Sequence, residues 1–289
     1  MLGFLIGYFF KMQKDFLAKS IIYVIAPIVI FTGVVTTKIT FGTLSIPLLF
    51  FFVCCIISFL TYYLSGFIWK DATKNILAFI AGTSNTGYLG IPIGIALFGN
   101  SVIGIVALIV LGTSLYTNSV GLYIAARGKY SVNESINTII KIPILYAFFA
   151  GLLVNLANIH FGQMYFETVT IFNDAYILIG MFLIGLGLAE NKGFIFNWKF
   201  VGITFFAEFI LWPLVMVIIL FLDGITFHIY SGSLQKIIII MSVLPVATNV
   251  IAYTSLLKTH SKEVSLVVFL TTLFALFYIP LIANIFLGK

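Results

Sequence analysis

Two polar clusters lie in the middle of hydrophobic segments that otherwise resemble membrane-spanning helices. One is centred on Asn85 within residues 74–99, and the other is centred on Asn249 within residues 233–258. Gly87, Gly90 and Pro92 accompany Asn85, and Pro245 accompanies Asn249; these residues act against a continuous helix. Hydrocarbon offers no partner for free backbone N–H and C=O groups, so such a break persists only where protein buries it or it lines a polar cavity. The candidate binding residues are Asn85, Thr86, Gly87, Pro245, Thr248 and Asn249.

Two broken helices that cross at mid-membrane would bring helix ends of both kinds together. Amino-terminal ends present free N–H groups that favour an anion, whereas free carbonyl groups favour a cation. The amides of Asn85 and Asn249 both donate and accept hydrogen bonds, so they are suited to such a site. Two alternatives stay open: each asparagine satisfies only its own helix end, or the breaks are Gly/Pro kinks in a packed bundle.

Two carboxyl groups inside hydrophobic segments are candidates for coupling transport to a proton or a cation. Glu208 is the twelfth residue of its predicted span, about 16 Å from one end and close to the midplane. An ionisable group at that depth is a functional candidate by default. Asp174 lies shallower, about 10 Å inside its predicted span. The alternatives are a Glu208 that only hydrogen-bonds a neighbouring helix and an Asp174 that water reaches at the interface.

Composition places the chain in a membrane. Of its 289 residues, 62% are hydrophobic and 8% are charged, about a third of the usual charged share of roughly 25%. The net charge of +6 comes from basic residues scattered singly among apolar segments, which argues against nucleic-acid binding. No nucleophile–base set, phosphate-binding loop or metal cluster is visible in the sequence. We therefore expect neither an enzyme nor a cofactor nor a metal.

The hydrophobic pattern predicts ten spans of an all-α membrane protein. If the amino terminus is outside, twelve of the fifteen basic residues fall on the inner side, as the positive-inside rule requires. We therefore expect a multi-pass protein of the cell membrane with both termini outside. The predicted spans are residues 1–10, 20–37, 43–69, 74–99, 101–126, 139–158, 167–189, 197–222, 233–258 and 263–287. The first is short for a full span.

Ten spans divide into two halves of five, and an odd number of spans forces the halves into opposite orientations. We predict an inverted repeat with units 1–127 and 138–289, joined by a cytoplasmic linker at 128–137. The broken segments are then spans 4 and 9, at corresponding places in the two halves. Interrupted segments so placed are the best sequence indication of a binding site in a secondary transporter.

At this point the residues resemble a known family. Residues 85–92, Asn-Thr-Gly-Tyr-Leu-Gly-Ile-Pro, are similar to the fourth-span crossover of the auxin efflux carrier family. The stretch from Leu244 to Asn249, residues 271–273 and Pro280 look like that family's ninth and tenth spans. The chain departs from the family in its short first span and in Glu208, where many relatives are expected to carry a basic residue.

The resemblance implies a carrier of two domains. Spans 1, 2, 6 and 7 would form a scaffold domain through which a homodimer assembles, and spans 3–5 and 8–10 a transport domain. Family substrates are mostly organic anions, moved by an elevator-like alternation. We therefore expect a secondary active transporter of a small organic acid, in contact with lipid and with no nucleic-acid partner.

Two alternatives remain open at this stage. One is a cation-coupled symporter or a sodium/proton antiporter of similar design, in which Glu208 and Asp174 bind the coupling ion. The other is a non-transporting membrane receptor or scaffold whose kinks only shape the packing.

Overall fold

The computed structural model describes residues 14–36, 45–99, 102–159, 161–189, 197–230 and 232–287, and every regular element in these ranges is a helix. The predicted first span, residues 1–10, lies outside the described residues. In chain order the helices are α1 Phe16–Thr36, α2 Ser45–Ser65, α3 Thr73–Ala81, α4 Thr86–Gly90 (a π-helical turn) continuing as Ile91–Phe98, α5 Ile103–Arg127, α6 Val132–Ile140, α7 Pro143–Leu156, α8 Gln163–Ala189, α9 Trp198–Ile225, α10 Ser233–Met241, α11 Val250–Leu256 and α12 Ser261–Leu287.

Several helices are suited to a bilayer. Within the described residues, six helical segments are long and apolar enough to cross a membrane: Phe16–Thr36, Ser45–Ser65, Thr73–Phe98, Ile103–Arg127, Trp198–Ile225 and Ser261–Leu287. Their outer faces are apolar as well, as at Leu214 and Phe221 of α9 and Phe277 of α12, which are all exposed. Lipid solvates such surfaces, whereas water would not. The prediction of an all-α chain rich in apolar spans is confirmed for the described residues.

Both interrupted segments contain a stretch without helix. α3 ends at Ala81 and α4 begins at Thr86, while α10 ends at Met241 and α11 begins at Val250. The second break contains Pro245, as the sequence suggested.

The first break differs from the sequence prediction, since Gly87, Gly90 and Pro92 all lie inside α4. The amides of Leu89 and Gly90 both donate to the Asn85 carbonyl, at 3.2 and 3.0 Å, and this widens the first turn. Pro92 has no N–H to donate, but it lies in the first turn after this π-helical turn, where a proline is tolerated and the helix continues.

The four half-helices pair crosswise. α3 shares one buried cluster with α11, and the rings of Phe79 and Tyr253 meet edge to face at 6.0 Å. α4 packs on the other half of the second segment, where a Cβ on Gly90 would lie 3.1 Å from both Met241 and Leu244. The first half of each segment therefore packs with the second half of the other. α3 is the most deeply buried, with no exposed surface on residues 76–81.

Two pairs of helices pack with their backbones in close contact. α2 packs on α5 so tightly that a Cβ on Gly112 would lie 2.3 Å from the Pro47 carbonyl oxygen. α7 packs on α1 in the same way, since a Cβ on Gly151 would lie 2.9 Å from the Phe31 carbonyl oxygen. Small residues at such interfaces let backbones approach closely, as is usual between membrane helices.

The predicted linker at 128–137 is partly helical, because α6 begins inside it. Its start is a capping box: the Ser131 amide donates to Glu134 Oε2 at 2.8 Å, and the Glu134 amide donates to Ser131 Oγ at 3.3 Å. The hydrogen bond from the Ser131 backbone lowers the pKa of the exposed Glu134 carboxyl. The linker sequence therefore contains the residues that start α6.

Candidate functional site

The two breaks meet at Asn85. Its backbone amide donates to the Pro245 carbonyl at 2.9 Å, and its side-chain Nδ2 donates to Thr248 Oγ1 at 3.1 Å. One asparagine thus connects two unwound segments that are separated by some 160 residues in sequence. Asn85 and Thr248 are both buried, so these bonds are shielded from competing solvent.

Aromatic side chains satisfy the carboxyl-terminal end of α3. Trp212 Nε1 donates to the Ala81 carbonyl at 2.8 Å, and the Tyr116 hydroxyl donates to the carbonyls of Ala78 and Phe79 at 3.4 Å. A Cβ on Gly82 would lie 2.3 Å from the Tyr116 hydroxyl oxygen, so only glycine fits here without a shift. The first half-helix can therefore end inside the protein without leaving these carbonyls unpaired.

Trp212→Phe tests this anchoring. The change leaves the buried Ala81 carbonyl without its donor, which we expect to cost about 1–3 kcal/mol and to lower the thermal midpoint in detergent. The control is Phe221→Leu on the same helix α9, where the side chain is 66% exposed and a shift within about 0.5 kcal/mol is expected. Equal midpoints for the two variants would show that the indole bond does not hold the half-helix end.

A cavity of about 460 Å³ lies beside the crossing. One wall comes from α1 and α8, and the opposite wall comes from α4, α5 and both breaks. That volume suits a small organic molecule. The described lining residues include no charged side chain. The polar ones are Thr32, Thr36, Ser84, Asn85, Thr86, Tyr88, Thr113, Ser114, Thr117, Thr170, Tyr176 and Asn249.

The structure brings most of the sequence-predicted binding residues to this place. Asn85, Thr86, Gly87 and Asn249 line the cavity. Gly87 contributes bare backbone, since a Cβ there would meet nothing within 4 Å. Pro245 and Thr248 are not in the lining, but they accept the two hydrogen bonds from Asn85 described above.

Most of the lining residues were not predicted from the sequence, among them two tyrosines and Thr113. Tyr88 of α4 and Tyr176 of α8 form an aromatic pair with ring centroids 4.7 Å apart, and the Tyr88 hydroxyl donates to the Tyr176 carbonyl at 3.5 Å. The hydroxyls of Thr86 and Thr113 meet at 2.8 Å. A tyrosine in an apolar span gives a weak signal, because its apolar ring packs well in any core and only its hydroxyl needs a partner.

Neither predicted coupling residue lines the cavity. Glu208 has no exposed surface and lies close enough to Cys54 of α2 and Tyr116 of α5 to interact with them electrostatically. It precedes by one turn Trp212, which holds the carboxyl-terminal end of α3. Both carboxyl oxygens of Glu208 lack a hydrogen-bond partner in the described part of the chain. Asp174 is exposed on α8.

Within the described residues, no group of three or more His, Cys, Asp or Glu side chains is placed to hold a metal ion. Cys54 and Cys55 are both free thiols, the first of them buried. The chemistry at the crossing therefore rests on amides, hydroxyls, aromatic rings and helix ends.

Comparisons with known proteins agree with a transport role. Residues 134–283 match the family described as membrane transport protein. The chain is 24% identical to the uncharacterized transporter MJ1031 of Methanocaldococcus jannaschii, over 96% of this chain and 93% of that protein. It is 26% identical to the uncharacterized transporter YfdV of Escherichia coli K12, over 62% of this chain and 58% of that protein. The family match includes the second break, and the first break lies outside it.

Proposed function

Because the chain belongs to the auxin efflux carrier family of membrane transport proteins, we propose that it is a secondary active transporter of a small organic anion across the cell membrane. The substrate leaves chemically unchanged, and the protein acts as a carrier and not as an enzyme. Movement is of the elevator type, in which a transport domain slides along a scaffold domain and carries the site with it.

The observation that carries this proposal is the position of the cavity. It lies between α1 and α8, which belong to the proposed scaffold, and the crossing with α5, which belongs to the proposed transport domain. A site at the boundary between a moving domain and a fixed scaffold suits an elevator, because sliding one wall past the other changes which side has access. The Tyr88–Tyr176 pair spans the same boundary.

The proposed architecture has ten spans in two inverted units, 1–127 and 138–289, with both termini outside. The crosswise pairing of half-helices supports it, because two broken segments that pair first half with second half run in opposite directions. In this arrangement spans 1, 2, 6 and 7 form the scaffold and the dimer contact. Spans 3–5 and 8–10 form the transport domain around Asn85 and Asn249.

The anion would be held without a basic side chain. The first turn of α4 points its amide groups toward the crossing, where the positive end of a helix favours negative charge. The bare backbone at Gly87 lets a carboxylate approach these amides. The Thr117 hydroxyl already donates to the Thr113 carbonyl at 2.8 Å, whereas the Ser114 hydroxyl of α5 also lines the cavity and can donate to an anion.

The alternative with Glu208 and Asp174 as joint ion ligands has less support. One of these carboxyls is fully buried on α9 and the other is exposed on α8. A non-transporting receptor or scaffold also has less support, because that role gives no reason for a cavity between two groups of helices.

Uptake by proteoliposomes tests the proposal. A purified protein that carries organic acids should accumulate a labelled carboxylate from a panel of mono- and dicarboxylates, and the transported members should raise its thermal midpoint in detergent. Empty liposomes are the control. Stabilisation by no carboxylate, together with no uptake above empty liposomes, would overturn the proposed function.

A further inference from the structure

The crossing contains buried side-chain oxygens that lack a hydrogen-bond partner among the described residues. Three buried oxygen atoms, Ser84 Oγ, Asn85 Oδ1 and Asn249 Oδ1, have no hydrogen-bond partner in the described part of the chain. Ser84 and Asn85 are 5% and 3% exposed, and all three residues line the same cavity. Unpaired buried oxygens disfavour folding, so several at one place call for an explanation.

Backbone and side-chain contacts fix the direction of the first amide. Asn85 Nδ2 donates to Thr248 Oγ1 at 3.1 Å, and this bond leaves Oδ1 as the end of the amide without a partner. The bond from the Asn85 amide to the Pro245 carbonyl holds the two breaks together at 2.9 Å. Asn249 therefore belongs to the same small region as Asn85, although it comes from the other broken segment.

We propose that Ser84, Asn85 and Asn249 form part of a sodium site beside the substrate cavity. The available groups are neutral oxygens of a hydroxyl and two amides, next to unwound backbone whose carbonyls can complete the coordination. Calcium and magnesium take carboxylate ligands, and the described cavity lining has none. Neutral oxygen ligands at a helix break suit a monovalent cation.

A sodium ion would also supply the positive charge that the cavity lining lacks. This part of the inference rests on the proposed function, in which the substrate is an anion. An anion that enters a cavity without a charged side chain loses its hydration and gains no counter-ion from the lining. A sodium ion bound at Asn85 and Asn249 supplies that charge. Anion and cation then bind together more tightly than either binds alone, which is the coupling that a symporter uses.

Sodium binding to the purified full-length protein tests the site without any substrate. Labelled sodium ions, titrated at constant ionic strength with choline, should bind saturably and raise the thermal midpoint. Asn249→Ala should weaken sodium binding by about tenfold to a hundredfold, the range expected when a charge loses one polar contact. Asn249→Asp keeps an oxygen at this position and adds negative charge, so sodium binding should persist or strengthen.

The matched control is Asn75→Ala on α3. Asn75 is also a buried amide, but its Nδ2 donates to the Ile124 carbonyl at 2.9 Å and it does not line the cavity. This variant should lose stability and keep its sodium affinity. A wild-type protein that binds no sodium saturably, or an Asn249→Ala variant with unchanged affinity, would overturn the site.

The same measurements separate this inference from the proposed function. Organic-acid uptake that is equal in sodium and choline would contradict the sodium site and leave the carrier intact. Saturable sodium binding in a protein that takes up no organic acid would contradict the carrier and leave the sodium site intact.

Discussion

Asn85→Ala should abolish transport and leave a folded, membrane-inserted protein. The change removes the donor to Thr248 and the buried, unpaired oxygen of Asn85, while the backbone bond to Pro245 persists. Losing the side-chain bond should cost about 1–3 kcal/mol, within reach of a protein whose unfolding free energy is about 5–15 kcal/mol. Folding is measured by size-exclusion chromatography and thermal midpoint, and function by uptake into proteoliposomes.

Substitutions at Thr248 show how much of the transport lost in Asn85→Ala comes from the hydrogen bond to Thr248. Thr248→Ser keeps the hydroxyl that accepts from Asn85 and should retain most of the transport, whereas Thr248→Val should reduce it. Asn249→Ala should abolish transport as Asn85→Ala does. If Asn85→Ala carries substrate at a near wild-type rate, the asparagine serves only to satisfy the end of a broken helix.

Sequence patterns located the breaks to within a few residues because apolar length and a polar interruption are local properties. They misplaced the first break, since Pro92 and Gly90 suggested an interruption where the structure has helix. Whether a proline ends a helix depends on how the preceding turn redistributes its hydrogen bonds. Here the Asn85 carbonyl accepts two amides, and no single-residue preference encodes that.

The side chains that hold the crossing were harder to predict. Trp212 reaches Ala81 across more than a hundred residues of sequence, and Tyr176 meets Tyr88 from another helix. A span that is apolar on all sides gives no sign of which face is buried, because lipid and protein interior are equally apolar. Counting residues along a span predicts depth along the membrane normal, whereas rotation about the helix axis has no such signal in the sequence.

Glu208 illustrates that difference. Counting residues predicts a depth near the midplane, and the structure shows that the side chain is fully buried on α9. The side chain nevertheless is not in the cavity lining and lies near Cys54 and Tyr116. Its predicted depth suggested a place beside the substrate, whereas in the structure it lies one turn before Trp212 on α9 and outside the lining.

Glu208→Gln should therefore separate substrate binding from proton coupling. We propose that Glu208 takes up and releases a proton as the transport domain moves, since a carboxyl without a hydrogen-bond partner in the described structure is uncompensated when charged. The titratable groups near it are Cys54 and Tyr116. Glutamine preserves the size of the side chain and cannot titrate. Uptake driven by an inward proton gradient should fall to the level without a gradient.

Substrate binding and exchange should survive in Glu208→Gln, because Glu208 does not line the cavity. Binding is measured as the thermal shift with a transported carboxylate, and exchange as counterflow from preloaded proteoliposomes. Asp174→Asn is the matched control, since it makes the same chemical change at an exposed carboxyl of α8 and should leave the pH profile unchanged. A wild-type pH profile in Glu208→Gln would end the coupling role and leave Glu208 as a packing residue between α9 and α2.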